Sequence, residues 1–328
     1  MTTTKPAPSF TRQWANLASK RLGAAVLSAS DDFFADKARL IADTEPVFIP
    51  GKYDDHGKWM DGWETRRRRQ PGHDHCIIRL ATRAELLGLD IDTAHFTGNY
   101  PDSASVDIRD GEDGAWREVL PDTKLSGNSH HYFPLQDAGP ADQLRLNIYP
   151  DGGVARLRAY GKPAFDWDKV AADTQVELSA LVHGGAILAY NDAHFGSPWP
   201  VLTFGRGVDM GDGWETRRRR EPGHDWLVFA LGAAGIIERI EIDTAHFKGN
   251  YPGSFSIQAA RMDGEPGPDW AEAAGQWPAL ISETPLGPDA VHEFGADKLH
   301  ALGPINAARL NIFPDGGISR IRLFGRKA

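Results

Sequence analysis

Apolar and polar positions alternate with a period of two over most of this chain. Leu144-Arg-Leu-Asn-Ile-Tyr149 sets apolar against polar, Val154-Ala-Arg-Leu-Arg-Ala-Tyr160 continues after Pro-Asp-Gly-Gly, and Ile236 to Thr244 carries charges on its outer face. Such alternation predicts half-buried strands, and the first two segments predict a hairpin-like pair around their turn. Helical stretches are few and short, around Gln13 to Lys20 and from Phe33 to Ile41. Short strands punctuated by Gly and Pro predict an all-β protein of jelly-roll β-sandwiches.

The pattern occurs twice. Asp61-Gly-Trp-Glu-Thr-Arg-Arg-Arg-Arg69 returns letter for letter as Asp212 to Arg220, and Pro71-Gly-His-Asp74 as Pro222 to Asp225. Ile91-Asp-Thr-Ala-His-Phe96 returns as Ile242 to Phe247, Gly98-Asn-Tyr-Pro101 as Gly249 to Pro252, and Arg145 to Gly153 as Arg309 to Gly317. A period of about 150 residues is one domain, far longer than a solenoid unit. The expected organisation is a lead-in over 1–20, a first sandwich over 21–162, a linker over 163–177 and a second sandwich over 178–328. Trp167 is expected to pin the linker to a domain surface. Ala42 to Met60 and Gly264 to Gly303 are inserts particular to one copy, expected to be surface loops.

Composition narrows the function. The 328 residues suffice for two cored domains, and a net charge of −9 argues against nucleic acid or an anionic membrane as partner. No run has the length of a membrane span, the N-terminus has no apolar segment of a signal peptide, and the one cysteine, Cys76, fits a reducing compartment. A cytoplasmic protein is expected. The second copy has Trp226-Leu227 where Cys76 would fall, so Cys76 reads as a small buried hydrophobe.

Between the copies apolar residues drift, Tyr149 to Phe313 and Leu157 to Ile321, while a polar set stays. A fold needs its apolar pattern and turn glycines, and volume-conserving swaps cost it little. It does not need the same acids, imidazoles and amides twice, although turn chemistry and buried ion pairs explain some of them. As a strand, Trp63 to Arg69 would place arginines on both faces, so an inner one must be paired or line a ligand cavity. The guanidinium fork suits a small carboxylate, and a surface ladder of ion pairs is the alternative. Glu64, His73, Asp74 and His95, with Glu215, His224, Asp225 and His246, are the candidates for proton transfer. Arg66, Arg67, Asp92, Asn99 and Asn147, with Arg217, Arg218, Asp243, Asn250 and Asn311, are the candidates for binding a substrate. Glu64, Arg67, His73, His95 and Asn147 are expected to converge on one pocket. His73-Asp74-His75 also has metal-ligand chemistry, but the second copy replaces the last with Trp226. No metal ligand or cofactor is assigned, and a divalent metal stays open.

The chain resembles the allantoicases in Asp31-Asp-Phe-Phe-Ala35, Lys58 to Arg69, Gly72-His-Asp74, Ile91 to Pro101 and Arg145 to Gly153, with their second-copy equivalents. The resemblance covers nearly the whole chain. It implies hydrolysis of allantoate to ureidoglycolate and urea in purine catabolism, two tandem jelly rolls of the galactose-binding type, and a homo-oligomer. His75 departs from the Gly-His-Asp-Trp form of the second copy. A non-catalytic tandem module binding a small molecule or carbohydrate is the alternative. A third possibility makes one copy catalytic and the other a relic.

Overall fold

The computed structural model describes residues 6–328, and residues 1–5 of the lead-in lie outside them. The chain divides into two compact units between Ala164 and Phe165. In the first, the eight-stranded antiparallel sheet runs Ala15–Asn16, Arg156–Pro163, Asp74–Asp92, Pro140–Tyr149, Ser103–Arg109, Arg117–Lys124, and Ala25–Ala29 and His130–Pro134 also pair with Asp74–Asp92. The second repeats this order with Val176–Glu177, Arg320–Lys327, Asp225–Asp243, Ile305–Phe313, Ser254–Ala260 and Ala279–Pro285.

The long strand Asp74–Asp92 organises the first unit. Its alternation of buried and open positions lapses around Ala81 to Arg83, where its register with Pro140–Tyr149 also shifts. Before the lapse it pairs with Ala25–Ala29 and with Gln143 to Ile148; after it, with Pro140 and Ala141, Arg156–Pro163 and His130–Pro134. One strand thereby serves both layers of a sandwich. Ile78, Leu89, Ile91, Val106, Leu144, Leu146 and Leu157 are buried in the core, each contributing about 1.5–3 kcal/mol by leaving water. The architecture is two tandem jelly-roll β-sandwiches.

Several local expectations are corrected. Pro140–Tyr149 and Arg156–Pro163 do not form a hairpin: they flank Asp74–Asp92 on opposite sides. The turn between them leads first into Gly153–Val154, which pairs with Trp63–Glu64. The arginine block is a strand only at Trp63–Glu64, since Arg66 to Arg69 run exposed. The first helix covers Phe10–Gln13, and beyond it Ala15–Asn16 is a strand on Arg156–Pro163. The Phe33 to Ile41 helix shrinks to a 3-10 turn at Lys37–Ile41. The second insert is not all surface loop: it holds the helix Pro268–Ala273 and buries Trp270 and Trp277 against Val228, Ala230 and Ala307. Aromatic residues that bury this much apolar surface order a Gly/Pro-rich segment. Cys76 is fully buried, and burial pushes its thiol up to about 12. Trp167 donates from Nε1 to the carbonyl of His183 at 3.0 Å, within the second unit.

Candidate active site

The repeated motifs meet at the turn Tyr149 to Gly153. Thr65 N donates to Gly152 O at 3.1 Å, Gly153 N donates to Asn99 O at 2.7 Å, and Arg68 N donates to Asp151 Oδ2 at 2.7 Å. The second unit repeats these links at Thr216–Gly316, Gly317–Asn250 and Arg219–Asp315. The paired glycines are required. Gly152 has φ +141°, and a Cβ on Gly153 would lie 2.0 Å from the Phe96 ring. Trp63 and Trp214 anchor the arginine blocks: each is fully buried and donates from Nε1, to Asp31 O at 2.8 Å and Asp192 O at 2.7 Å.

Glu64 is half-buried, and Asn99 Nδ2 donates to its Oε1 at 2.8 Å. Burial raises its pKa, with Asn99 and Lys58 opposing the shift. Asn250 donates to Glu215 in the same way. His95 and His246 follow the long strands with φ 67° and 70°, in the left-handed region that non-glycine residues seldom occupy. The ring Nε2 of His95 lies 3.1 Å from Pro46 O, and that of His246 lies 2.7 Å from Gly207 O. A carbonyl only accepts, so Nε2 carries the proton in both.

The arginines divide into three kinds. Arg68 Nη1 donates to the buried Asp74 at 2.8 Å, with Ser30 Oγ on the same carboxylate oxygen, and Arg219 meets Asp225 alongside Asn191. Arg66 binds Asp31 through Nε and Nη2 at 2.9 and 2.7 Å, while Arg217 approaches Asp192 at 4.0 Å. Arg67, Arg69, Arg218 and Arg220 are exposed and make no ion pair among the described residues. Arg217 to Arg220 and Glu221 line a cavity of about 320 Å³.

The expected convergence is only partial. His73 packs on Tyr149 with ring centroids 4.8 Å apart and faces His75 at 6.4 Å, and His75 stands opposite Asn147, whose Nδ2 donates to Ser105 Oγ and Asp107 Oδ2. Glu64 instead bonds Asn99, and His95 bonds the insert, so Glu64, His95 and Asn147 have separate hydrogen-bond partners, and the side chains of Arg67 and His73 have none among the described residues. His224 packs likewise on Phe313 and reaches Asn311 Oδ1 at 3.1 Å. Asp92 and Asp243 each cap the chain that follows, accepting from Ala94 N and Ala245 N at 2.8 Å.

One polar cluster is only partly repeated: Arg158 meets Asp90 as Arg322 meets Glu241, but His130 has Val291 as its counterpart. In the first unit His130 Nδ1 lies 3.0 Å from Asp90, Arg158 reaches Glu45 at 2.8 Å and Asp90 at 3.4 Å, and His130 stacks on Tyr132. The hydrogen bond that Asp90 accepts from His130 raises the His130 pKa, against burial, and burial raises that of Asp92. Glu45, Asp92 and His130 bring potential ligand atoms within 4.8 Å of one another. Of the pair His130-His131, His131 recurs as His292, each against the carbonyl of its neighbouring strand, Ile91 O and Ile242 O, whereas Val291 stands where His130 does. The links from Arg68 to Asp74 and Asp151 were signalled by their recurrence in the second copy.

The Allantoicase repeat family matches residues 15–164 and 176–328. Probable allantoicase 2 of Burkholderia pseudomallei (strain K96243) is 53% identical over 328 residues, covering 98% of this chain and 97% of that protein. Probable allantoicase of Ralstonia nicotianae is 51% identical over 325 residues, covering 97% and 96%. The crystal structure of allantoicase from Saccharomyces cerevisiae superposes with a TM-score of 0.80 at 33% identity, covering 96% of this chain and 94% of that one. With both repeats matched and relatives similar from end to end, the chain belongs to the allantoicase family.

Proposed function

We infer that the chain hydrolyses allantoate to ureidoglycolate and urea in purine catabolism. The observation that carries this reading is the match of relatives named allantoicase across both repeats. Allantoate has one carboxylate on a carbon bearing two ureido groups. Hydrolysis breaks the bond from that carbon to one ureido nitrogen, forms a bond to a water oxygen, and delivers a proton to the departing nitrogen.

The unpaired guanidinium groups of Arg67 and Arg218 suit the carboxylate, and the cavity beside Arg218 has room for a molecule of this size. Glu64 and Glu215 are the proposed acid–base groups. Burial raises the Glu64 pKa, and Asn99 leaves Oε2 for water. His73 is proposed to protonate the leaving nitrogen, while its counterpart His224 is held at Asn311 Oδ1. Asp74 and Asp225 are closed by Arg68 and Arg219, a role in holding the loop. His95 and His246 position the segments at Pro46 and Gly207.

A divalent metal would find its ligand set at Glu45, Asp92 and His130. The fit is poor, because Arg158 already stands 2.8 Å from Glu45 and 3.8 Å from Asp92 and supplies the positive charge there. No step is assigned to a metal. No helix among the described residues is long and apolar enough to cross a membrane. A cytoplasmic location and a homo-oligomer belong to the same proposal. The test is to incubate pure protein with allantoate and assay urea; absence of urea with folded protein overturns the reading.

A further inference from the structure

The two units differ at one amide on equivalent sheet faces. Asn147 lies opposite Ser105 and Asn311 opposite Ser256, with exposures of 3% and 4%. Asn311 is saturated. Its Nδ2 donates to Ser256 Oγ at 3.2 Å and Gln258 Oε1 at 3.1 Å, while its Oδ1 accepts from Arg309 Nε at 2.9 Å and lies 3.1 Å from His224 Nε2. Asn147 Nδ2 is also satisfied, by Ser105 Oγ at 3.1 Å and Asp107 Oδ2 at 2.7 Å, but its Oδ1 has no donor. An ionised carboxylate only accepts, so Asp107 fixes which end of the amide is which.

One substitution accounts for the difference. Asp107 stands opposite Arg145 where the second unit has Gln258 opposite Arg309. It takes Arg145 through Nε at 3.0 Å and Nη2 at 2.8 Å, leaving the amide oxygen without the donor that Arg309 supplies in the second unit. His73 keeps the ring contact of its counterpart without the hydrogen bond; exposed and unbonded, it is free to turn aside. The cover differs as well. Opposite Asn311 stands Trp226, packed against the cluster of Trp270 and Trp277, whereas opposite Asn147 stands His75.

We propose that Asn147 Oδ1, flanked by His73 and His75, accepts an N–H of a ureido group of the substrate. On this face the first unit then takes the ureido group, and the equivalent amide of the second, Asn311, is closed by its own side chains. The proposal rests on the allantoicase reading. The class of ligand follows from the chemistry: an uncharged urea-type group offers N–H donors, whereas a carboxylate or ester offers none.

Asp107→Gln installs the second unit's residue and returns Arg145 to the amide oxygen, and His75→Trp installs the second unit's cover. The readouts are KM and kcat for urea release from allantoate and the calorimetric affinity for N-carbamoylglycine, a carboxylate with one ureido group. Each first-unit variant is expected to raise KM and weaken N-carbamoylglycine about tenfold with kcat within about twofold, while Gln258→Asp leaves both binding measures unchanged. Thermal midpoints identify a variant that does not fold, and the other then decides. Native KM and affinity in folded first-unit variants overturn the proposal, as does a KM increase from Gln258→Asp. If the wild-type chain releases no urea, the allantoicase reading fails, and N-carbamoylglycine binding still decides on the site.

Discussion

Asn99 holds one carboxylate oxygen of Glu64 at 2.8 Å, and the second unit repeats the contact between Asn250 and Glu215. The amide stabilises the charged form against the burial that raises the Glu64 pKa. Asn99→Ala therefore moves the acid limb of the kcat/KM profile to higher pH, because the carboxylate then protonates sooner as pH falls. Glu64→Gln lowers kcat on the order of a hundredfold. An unmoved acid limb in Asn99→Ala would remove Glu64 from the mechanism.

Arg67 and Arg68 are neighbours with opposite expectations. Arg67 is exposed and unpaired, so Arg67→Lys leaves the melting temperature in place and raises KM for allantoate about tenfold through loss of the bidentate fork. Arg68 neutralises the buried Asp74. Arg68→Ala strands that carboxylate and costs about 3 kcal/mol or somewhat less, since Arg68 is one-third exposed. Thermal melts and urea assays on both variants, repeated for Arg218 and Arg219, separate the roles.

Arg156 is almost wholly buried and binds Asp61 Oδ2 at 2.9 Å, with the carbonyls of Thr44, Asp61 and Ala155 as further acceptors. Arg320 repeats the pair with Asp212 at 2.9 Å. Removing the cation leaves several buried acceptors at once, so Arg156→Ala is expected to cost about 3–5 kcal/mol. Denaturant unfolding measures this, and a loss below about 1 kcal/mol contradicts the assignment.

Glu177 gives a pH dependence of stability. Burial raises its pKa to about 7, with Arg322 opposing the shift. Below the unfolded value of 4.5 both states are protonated and the group has no effect. Between there and about 7 the unfolded state ionises while the folded state keeps its proton, so stability falls as pH rises. Above about 7 the penalty is constant. Glu177→Gln is expected to melt higher than wild type at pH 8 and level with it at pH 4, and an equal difference at both pH values refutes the shift.

Arg158 provides the positive charge among Glu45, Asp90 and Asp92. Urea release is expected to be unchanged by a chelator, and added divalent cations to have no effect. Loss of turnover on chelation, restored by one cation, would assign that cluster to a metal.

The amino-acid sequence by itself determined the fold class, the duplication and the turns. Alternation of apolar and polar residues is local, and it buries one strand face wherever the strand sits. Pro-Asp-Gly-Gly was legible because a positive φ at Gly152 and the Phe96 ring against Gly153 admit only glycine. The family was legible in the repeated arginine block. The tertiary structure decided strand partners and the fate of each polar group. Alternation in Leu144 to Tyr149 and Val154 to Tyr160 says that both are strands, but Asp74–Asp92 separates them, because pairing is set by packing across distant sequence. Four identical arginines became one buried partner, one surface pair and two free cations, since solvent access depends on the loops beside them. Asp107 drawing Arg145 from Asn147 lies beyond any single-strand pattern, because it depends on three side chains meeting across two strands.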